Sequence, residues 1–333
     1  MYEKIGDCKV EKGKLTFGTL NIAKNQTIPL AILQGKKSGK TCFISGGMHG
    51  DEINGPRLVQ LLMHSIKPNE VKGTIIFLPL LNKSGFHYEQ RTVYEDDLDL
   101  NRCFPGSNKS LSYKIAKAVF NKIIKISDFG IDCHDSGKRD VLLPQPRVHI
   151  DNKGKCNDGC TLEIGTLLGT KIILQRKGKQ GMMAIESFKR LKKPVLTVEI
   201  GGGMLIWDDF LKQGVKGIKN ILIHNSILSG KVKKTKDQII IKDEDRFSYD
   251  SNLEGLLYKK VKLGQEVHKG KLIAVIHNPI NEKTEKIKAK HCGFVFSLKI
   301  QDKIKKEETV CSILQNNMCK LHSTKPQRGF KEL

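Results

Sequence analysis

The chain predicts an α/β fold, a mixed sheet flanked by helices, over residues 1–230, and a smaller all-β domain over residues 231–315. Three observations carry this. Short apolar runs of strand length alternate with segments of helical period between residues 40 and 228. The run GTIIFLPLL at 73–81 is almost continuously apolar, as in a strand covered on both faces. Past Gly230 a lysine-rich connector, KVKKTKDQ at 231–238, leads into short β patterns and turns without a long helical period.

Taken in order, residues 14–34 alternate and break like a hairpin leading into the sheet. A strand at 42–45 runs into a glycine-rich turn. Asn54 and Pro56 then open a helix to about Ile66, with Leu58, Leu61, Leu62 and Ser65 on its buried face and Asn54 as its cap. After the 73–81 strand, residues 82–110 are polar and aperiodic, which predicts a long functional loop. A basic amphipathic helix follows at 111–126, then a strand at 129–133. Residues 142–150, broken by prolines, read as an edge segment. Helices at 161–168 and 182–191 flank a strand at 171–175. A buried strand at 194–200 and a closing helix at 208–228 complete the first domain. Residues 316–333 read as a polar tail.

Composition narrows the function. The 333 residues are enough for one large domain and one small one, and no apolar stretch predicts a leader or a membrane span. Nine cysteines without a paired Cys-x-x-Cys spacing read as reduced thiols in a cytoplasmic protein. The net charge of +23 invites a nucleic-acid reading, but only nine of the 58 basic residues are arginine and aromatics are 6%. Phosphate and base recognition favours arginine and aromatic platforms, so a solvated lysine surface is expected, with no nucleic-acid and no membrane partner. The charge can still steer acidic substrates.

The chemistry centres on CFISGGMHGDEINGP at 42–56. A tight turn after a buried strand lets His49 and Glu52 point at one spot, which suits a metal ion. Such a pair is common by chance, and a catalytic zinc needs a third ligand. Three further clusters sit at or beside strand ends: DLDLNRCFPG at 97–106, IDCHDSG at 131–137 and VEIGGG at 198–203. His134 is either an ordinary hydrogen-bonded histidine or the third ligand, since catalytic residues of open α/β sheets gather at the carboxyl ends of strands. Glu199 at an apolar strand end needs a partner or a task, and general base is the task on offer. In the 82–110 loop, Arg91, Asn101 and Arg102 lie among Glu95, Asp96, Asp97 and Asp99. They can grip a substrate carboxylate or merely pair with their own aspartates.

GGMHGDE with DLNRCFPG, followed by the other two clusters in this order, resembles the succinylglutamate desuccinylase and aspartoacylase family over about residues 40–205. That family is similar to the zinc carboxypeptidases in fold and site. The resemblance implies one zinc per chain held by His49, Glu52 and His134, with Arg91 polarising a carbonyl and Glu199 as general base. It also implies that Asn101 and Arg102 bind the substrate carboxylate. Arg147 is a further candidate for a substrate-side cation. The implied reaction is metal-assisted hydrolysis of a small N-acyl amino acid, acetyl or succinyl in type. Asp135 stands where the family often has Thr or Asn; it either supports the ligand beside it or disfavours an anionic substrate. Relatives are commonly dimeric, so a homo-oligomer is an open assembly state. The alternatives are a carboxypeptidase-like peptidase or ester hydrolase, and a non-catalytic basic binding protein.

In the C-terminal part, residues 255–275 and 287–298 repeat strand, glycine turn, strand, which resembles the barrel-sandwich hybrid of lipoyl and biotinyl carriers. Lys283 lacks the small or methionine neighbours of a modified carrier lysine, so an unmodified module that shapes or covers the cleft is expected.

Overall fold

The computed structural model describes residues 3–159 and 161–315; the polar tail expected at 316–333 lies outside the described residues. The chain divides into two compact units, one of Met1–Gly137 with Pro144–Ile240, the other of Lys138–Leu143 with Ile241–Leu333.

The larger unit is built on a mixed sheet. Its edge hairpin, Lys14–Ala23 and Gln26–Gln34, pairs antiparallel. Lys72–Leu78 lies antiparallel to Gln26–Gln34, and Lys37–Gly46, Phe129–His134 and Val195–Gly202 then run parallel to it in turn. The central strands are buried along nearly their whole length, which is why they read as apolar runs rather than alternating ones. Helices Asn54–Ser65, Leu111–Lys122, Met183–Leu191 and Asp208–His224 cover the faces. Phe43, Met48, Leu78, Val119 and Met183 belong to one apolar core.

Four local expectations are corrected. The segment expected at an edge forms the strand Asp140–Ile150, which lies inside the sheet beside Val195–Gly202. It pairs in parallel with Ile172–Lys177 only from Arg147 onward. Pro144 and Pro146 fall two apart, so both missing N–H groups point to the same neighbour and leave the other ladder intact. Second, Asn54 is not the cap. The helix opens after Ile53, whose side chain caps nothing, and Asp135 Oδ2 accepts the N–H of Asn54 at 2.9 Å. The cap thus comes from the histidine-bearing strand end. Third, Ser65 is exposed, while Leu58, Val59, Leu62 and Met63 form the buried face. Fourth, the 82–110 loop carries a short helix, Lys83–His87, whose first turn is closed by Asn82 Oδ1 accepting from Gly85 N at 2.9 Å. It also carries a single 3-10 turn, Leu100–Arg102.

The smaller unit is β-rich, with one 3-10 turn at Asp243–Asp245. In one sheet Arg246–Asp250, Thr309–Gln315 and Gly293–Lys299 pair antiparallel, and Asp140–Leu142 adds to the last of them. In the other, Thr284–Lys288, Leu272–His277, Gly255–Lys259 and Lys303–Ile304 lie in that order. Tyr249, Val295 and Ile313 from the first sheet share an apolar core with Leu257, Ile276 and Ile287 from the second. Lys283 sits in the hairpin loop between Leu272–His277 and Thr284–Lys288, where its N–H donates to Asn281 Oδ1 at 3.1 Å.

Candidate active site

The strand Lys37–Gly46 ends in the turn that carries His49 and Glu52, and the adjacent parallel strand Phe129–His134 ends on His134. Parallel strands bring their carboxyl ends to one rim, so residues distant in sequence meet there. Glu52 lies between the two imidazoles: Oε1 is 2.6 Å from His49 Nδ1 and Oε2 is 2.7 Å from His134 Nδ1. One donor atom from each residue falls within 4.8 Å of the others, and all three side chains are buried.

Each histidine is also held from behind. His49 Nε2 lies 3.0 Å from Asp99 Oδ1, and His134 Nε2 lies 2.8 Å from Asp132 Oδ2. A carboxylate at Nε2 favours the tautomer that carries its proton there, which leaves the Nδ1 lone pair facing the shared centre. Burial works against charging either imidazole, yet the surrounding carboxylates win and raise the pKa of both. Burial likewise opposes the charge of Glu52, but the two histidines hold its carboxyl below the usual range. The pocket is therefore arranged to stabilise positive charge. The donor set of two imidazoles and a carboxylate fits a catalytic zinc with one position left open.

Arg91 joins the same cluster. Its guanidinium lies 3.4 Å from Glu52 Oε1 and 3.1 Å from Asp99 Oδ2, with the side chain 49% exposed, so part of the fork faces outward. Asp99 links this cluster to the next two residues of its loop: its Oδ1 accepts the N–H of Asn101 at 2.8 Å. Asn101 is buried, and its Oδ1 accepts from Met183 N at 2.9 Å, which ties the loop to the Met183–Leu191 helix. Arg102 donates to the Asn101 carbonyl at 2.6 Å and is exposed.

Glu199 is in register with His134 across the strand pair. Its Oε1 meets Arg147 at 2.5 Å, while its buried Oε2 has no hydrogen-bond partner among the described residues. Burial, which outweighs the opposing pull of Arg147 and His134, raises its pKa. Such a carboxylate is a suitable proton acceptor.

The family model of the succinylglutamate desuccinylase/aspartoacylase catalytic domain matches residues 38–225. The chain belongs to this family. Its members are named as amide hydrolases acting on acyl amino acids. The N-alpha-acetyl-L-2,4-diaminobutyric acid deacetylase of Halomonas elongata is 27% identical over 255 residues, covering 75% of this chain and 74% of that protein. The crystal structure of a succinylglutamate desuccinylase from Silicibacter sp. superposes with a TM-score of 0.75 at 26% identity, covering 87% of this chain and 89% of that one. The product-bound ectoine utilization protein EutE (DoeB) of Ruegeria pomeroyi shares the fold, with a TM-score of 0.78 at 24% identity, covering 91% of this chain and 95% of that one.

One carboxylate of the ligand cluster, Asp132, is not singled out by the sequence, and Asp99, which the sequence offers only as a partner for the loop's own cations, pairs with Arg91 and also holds His49. Asp132 precedes His134 by two, and the period-2 rule that puts both on one strand face was the available signal. Asp135 is turned to the neighbouring helix and turn: it accepts from Asn54 N and Nδ2, both at 2.9 Å, and from Gly137 N at 2.7 Å, while His134 is held by Asp132 and Glu52. Burial pushes the pKa of Asp135 up to about 8. Among the described residues no helix is long and apolar enough to cross a membrane.

Proposed function

We propose that this chain is a zinc-dependent hydrolase that cleaves the amide bond of a small N-acyl amino acid, acetyl or succinyl in type. The observation that carries the reading is the convergence of His49 Nδ1, His134 Nδ1 and the Glu52 carboxylate, each histidine held at Nε2 by its own aspartate. In this reading His49, Glu52 and His134 hold one zinc. When bound, the ion supplies Lewis acidity and brings the pKa of a water down to about 7.

The protein's own groups do the remaining work. Glu199 takes a proton from the attacking water at Oε2, because Oε1 is engaged by Arg147, and later delivers it to the leaving amine. Arg91, anchored on Glu52 and Asp99, turns its exposed N–H groups to the substrate carbonyl oxygen. Asn101, positioned by Met183 N, uses its remaining amide N–H groups on the substrate carboxylate, with Arg102 as the charged donor beside it. Arg147 acts on the substrate side through Glu199, whose Oε1 it engages. Residues 1–230 form the catalytic domain of a cytoplasmic enzyme, residues 231–315 its β module, and a homo-oligomer is compatible with both. The similarity to a diaminobutyrate deacetylase puts acetylated diaminobutyrate first among substrates to try.

The test is metal content together with amine release from a panel of N-acyl amino acids, for the wild type and for Glu199→Ala and His134→Ala. About one zinc per chain, kept in Glu199→Ala and lost in His134→Ala, with hydrolysis gone in both, is the expected result. A wild type that takes up no zinc when it is supplied would sink the ligand assignment.

A further inference from the structure

The strand Asp140–Ile150 places Gln145, Arg147 and His149 on one face and Pro144, Pro146 and Val148 on the other, because side chains alternate along a strand. The second face is packed against a helix: a side chain begun at Gly165 would meet Pro146 Cβ at 3.3 Å. The first face is the one that reaches the site, since Arg147 on it contacts Glu199 at 2.5 Å.

Gln145 is 0% exposed, and neither its Oε1 nor its Nε2 has a hydrogen-bond partner among the described residues. Glu199 Oε2 is orphaned in the same way on the neighbouring strand. A buried polar group left unpaired costs about 1–3 kcal/mol, so an amide kept at such a place needs a partner from outside the chain. His149, on the far side of Arg147, has its Nδ1 3.3 Å from the buried Asp158, yet neither ring nitrogen has a hydrogen-bond partner among the described residues, so the unpaired polar row continues past Arg147.

We infer that Gln145 is a specificity-determining residue of this site, its carboxamide donating one hydrogen bond to, and accepting one from, the uncharged acyl-amide end of the substrate. The inference rests on the hydrolase reading above and narrows it. A carboxamide offers one acceptor and two donors without charge, which complements a secondary amide. The cation beside it, Arg147, is already matched by Glu199, so a second carboxylate on the acyl chain would find no uncompensated charge along this row. The acyl group is therefore neutral and short, acetyl in preference to succinyl.

Gln145→Met keeps the length of the side chain and removes both hydrogen-bonding atoms. With N-acetyl and N-succinyl forms of the same amino acid, the wild type is expected to favour the acetyl form. The variant is expected to lose about 10–100-fold in kcat/KM on it, chiefly through KM, with zinc content unchanged. Without substrate its Tm is expected to equal or exceed that of the wild type, because an unpaired amide has been replaced by an apolar group. A wild-type preference for succinyl, unchanged kinetics in the variant, or a lower Tm with unchanged kinetics each overturn the assignment. Should the wild type hydrolyse nothing on the panel, the hydrolase reading fails separately, and calorimetric titration of both proteins with the same two compounds decides. Weaker acetyl-compound binding by Gln145→Met then supports the role of Gln145; equal binding, or none by the wild type, overturns it.

Discussion

Asp132 and His134 lie two residues apart on one strand, and Asp132 Oδ2 sits 2.8 Å from His134 Nε2. The period of the strand puts both side chains on one face, so the residue that orients the imidazole is built into the element that presents it. Asp132 is itself fixed by Ser45 Oγ, which donates to its Oδ1 at 2.7 Å. Asp132→Asn preserves shape but removes the charge behind the ring. It should weaken zinc binding by about 10–100-fold while the fold persists. Competition against a chromophoric chelator measures this; an unchanged affinity would mean that the carboxylate does not tune the ligand.

His49, Glu52 and His134 were legible because each follows a recognisable buried strand and sits among glycines or at the strand end, where an apolar sequence has no other reason to become polar. The order of the strands was not legible. Residues 142–150 were expected at an edge because of their prolines, and only pairing shows that a strand can lose N–H groups toward one neighbour and remain interior. That misplacement also hid Gln145, which an edge position would leave in solvent. Asn54 illustrates the same limit at short range: its spacing suited a cap, but the true cap, Asp135, arrives from a residue 81 positions away.

Gly55 offers a conflict between local propensity and packing. In an exposed helix interior, Gly→Ala gains about 1 kcal/mol. Here a Cβ on Gly55 would stand 2.3 Å from the carbonyl oxygen of Cys133, a backbone atom that no rotamer change can move. Gly55→Ala should therefore destabilise the protein by about 1–3 kcal/mol, the usual cost of overpacking. Because the contact joins the helix after Glu52 to the residue before His134, zinc affinity should fall with it. Urea unfolding and the chelator competition report both, and a variant as stable as the wild type would show that the helix does not pack this closely.

Asp96 gives the pH-dependent case, at a distance from the ligand cluster. Its Oδ2 accepts Ser112 N at 2.9 Å and its Oδ1 accepts Ser112 Oγ at 2.6 Å, in the first turn of the Leu111–Lys122 helix. A carboxylate there serves an orphan N–H and meets the positive end of the helix dipole. Burial raises its pKa, but the hydrogen bonds prevail and hold it below the ordinary value of 3.8. The folded state thus binds fewer protons than the unfolded state between the two values, so stability rises with pH across that window. Asp96→Ala should cost about 0.5–1 kcal/mol at pH 7, with solvent screening of a half-buried group keeping it in the lower part of the capping range. That gap should persist above the unfolded carboxylate pKa and close as pH falls through the lower, folded one. Urea midpoints for both proteins from pH 7 downward trace it. A gap that stays constant to below pH 3.8 would show that the ionised carboxylate is not what caps the helix.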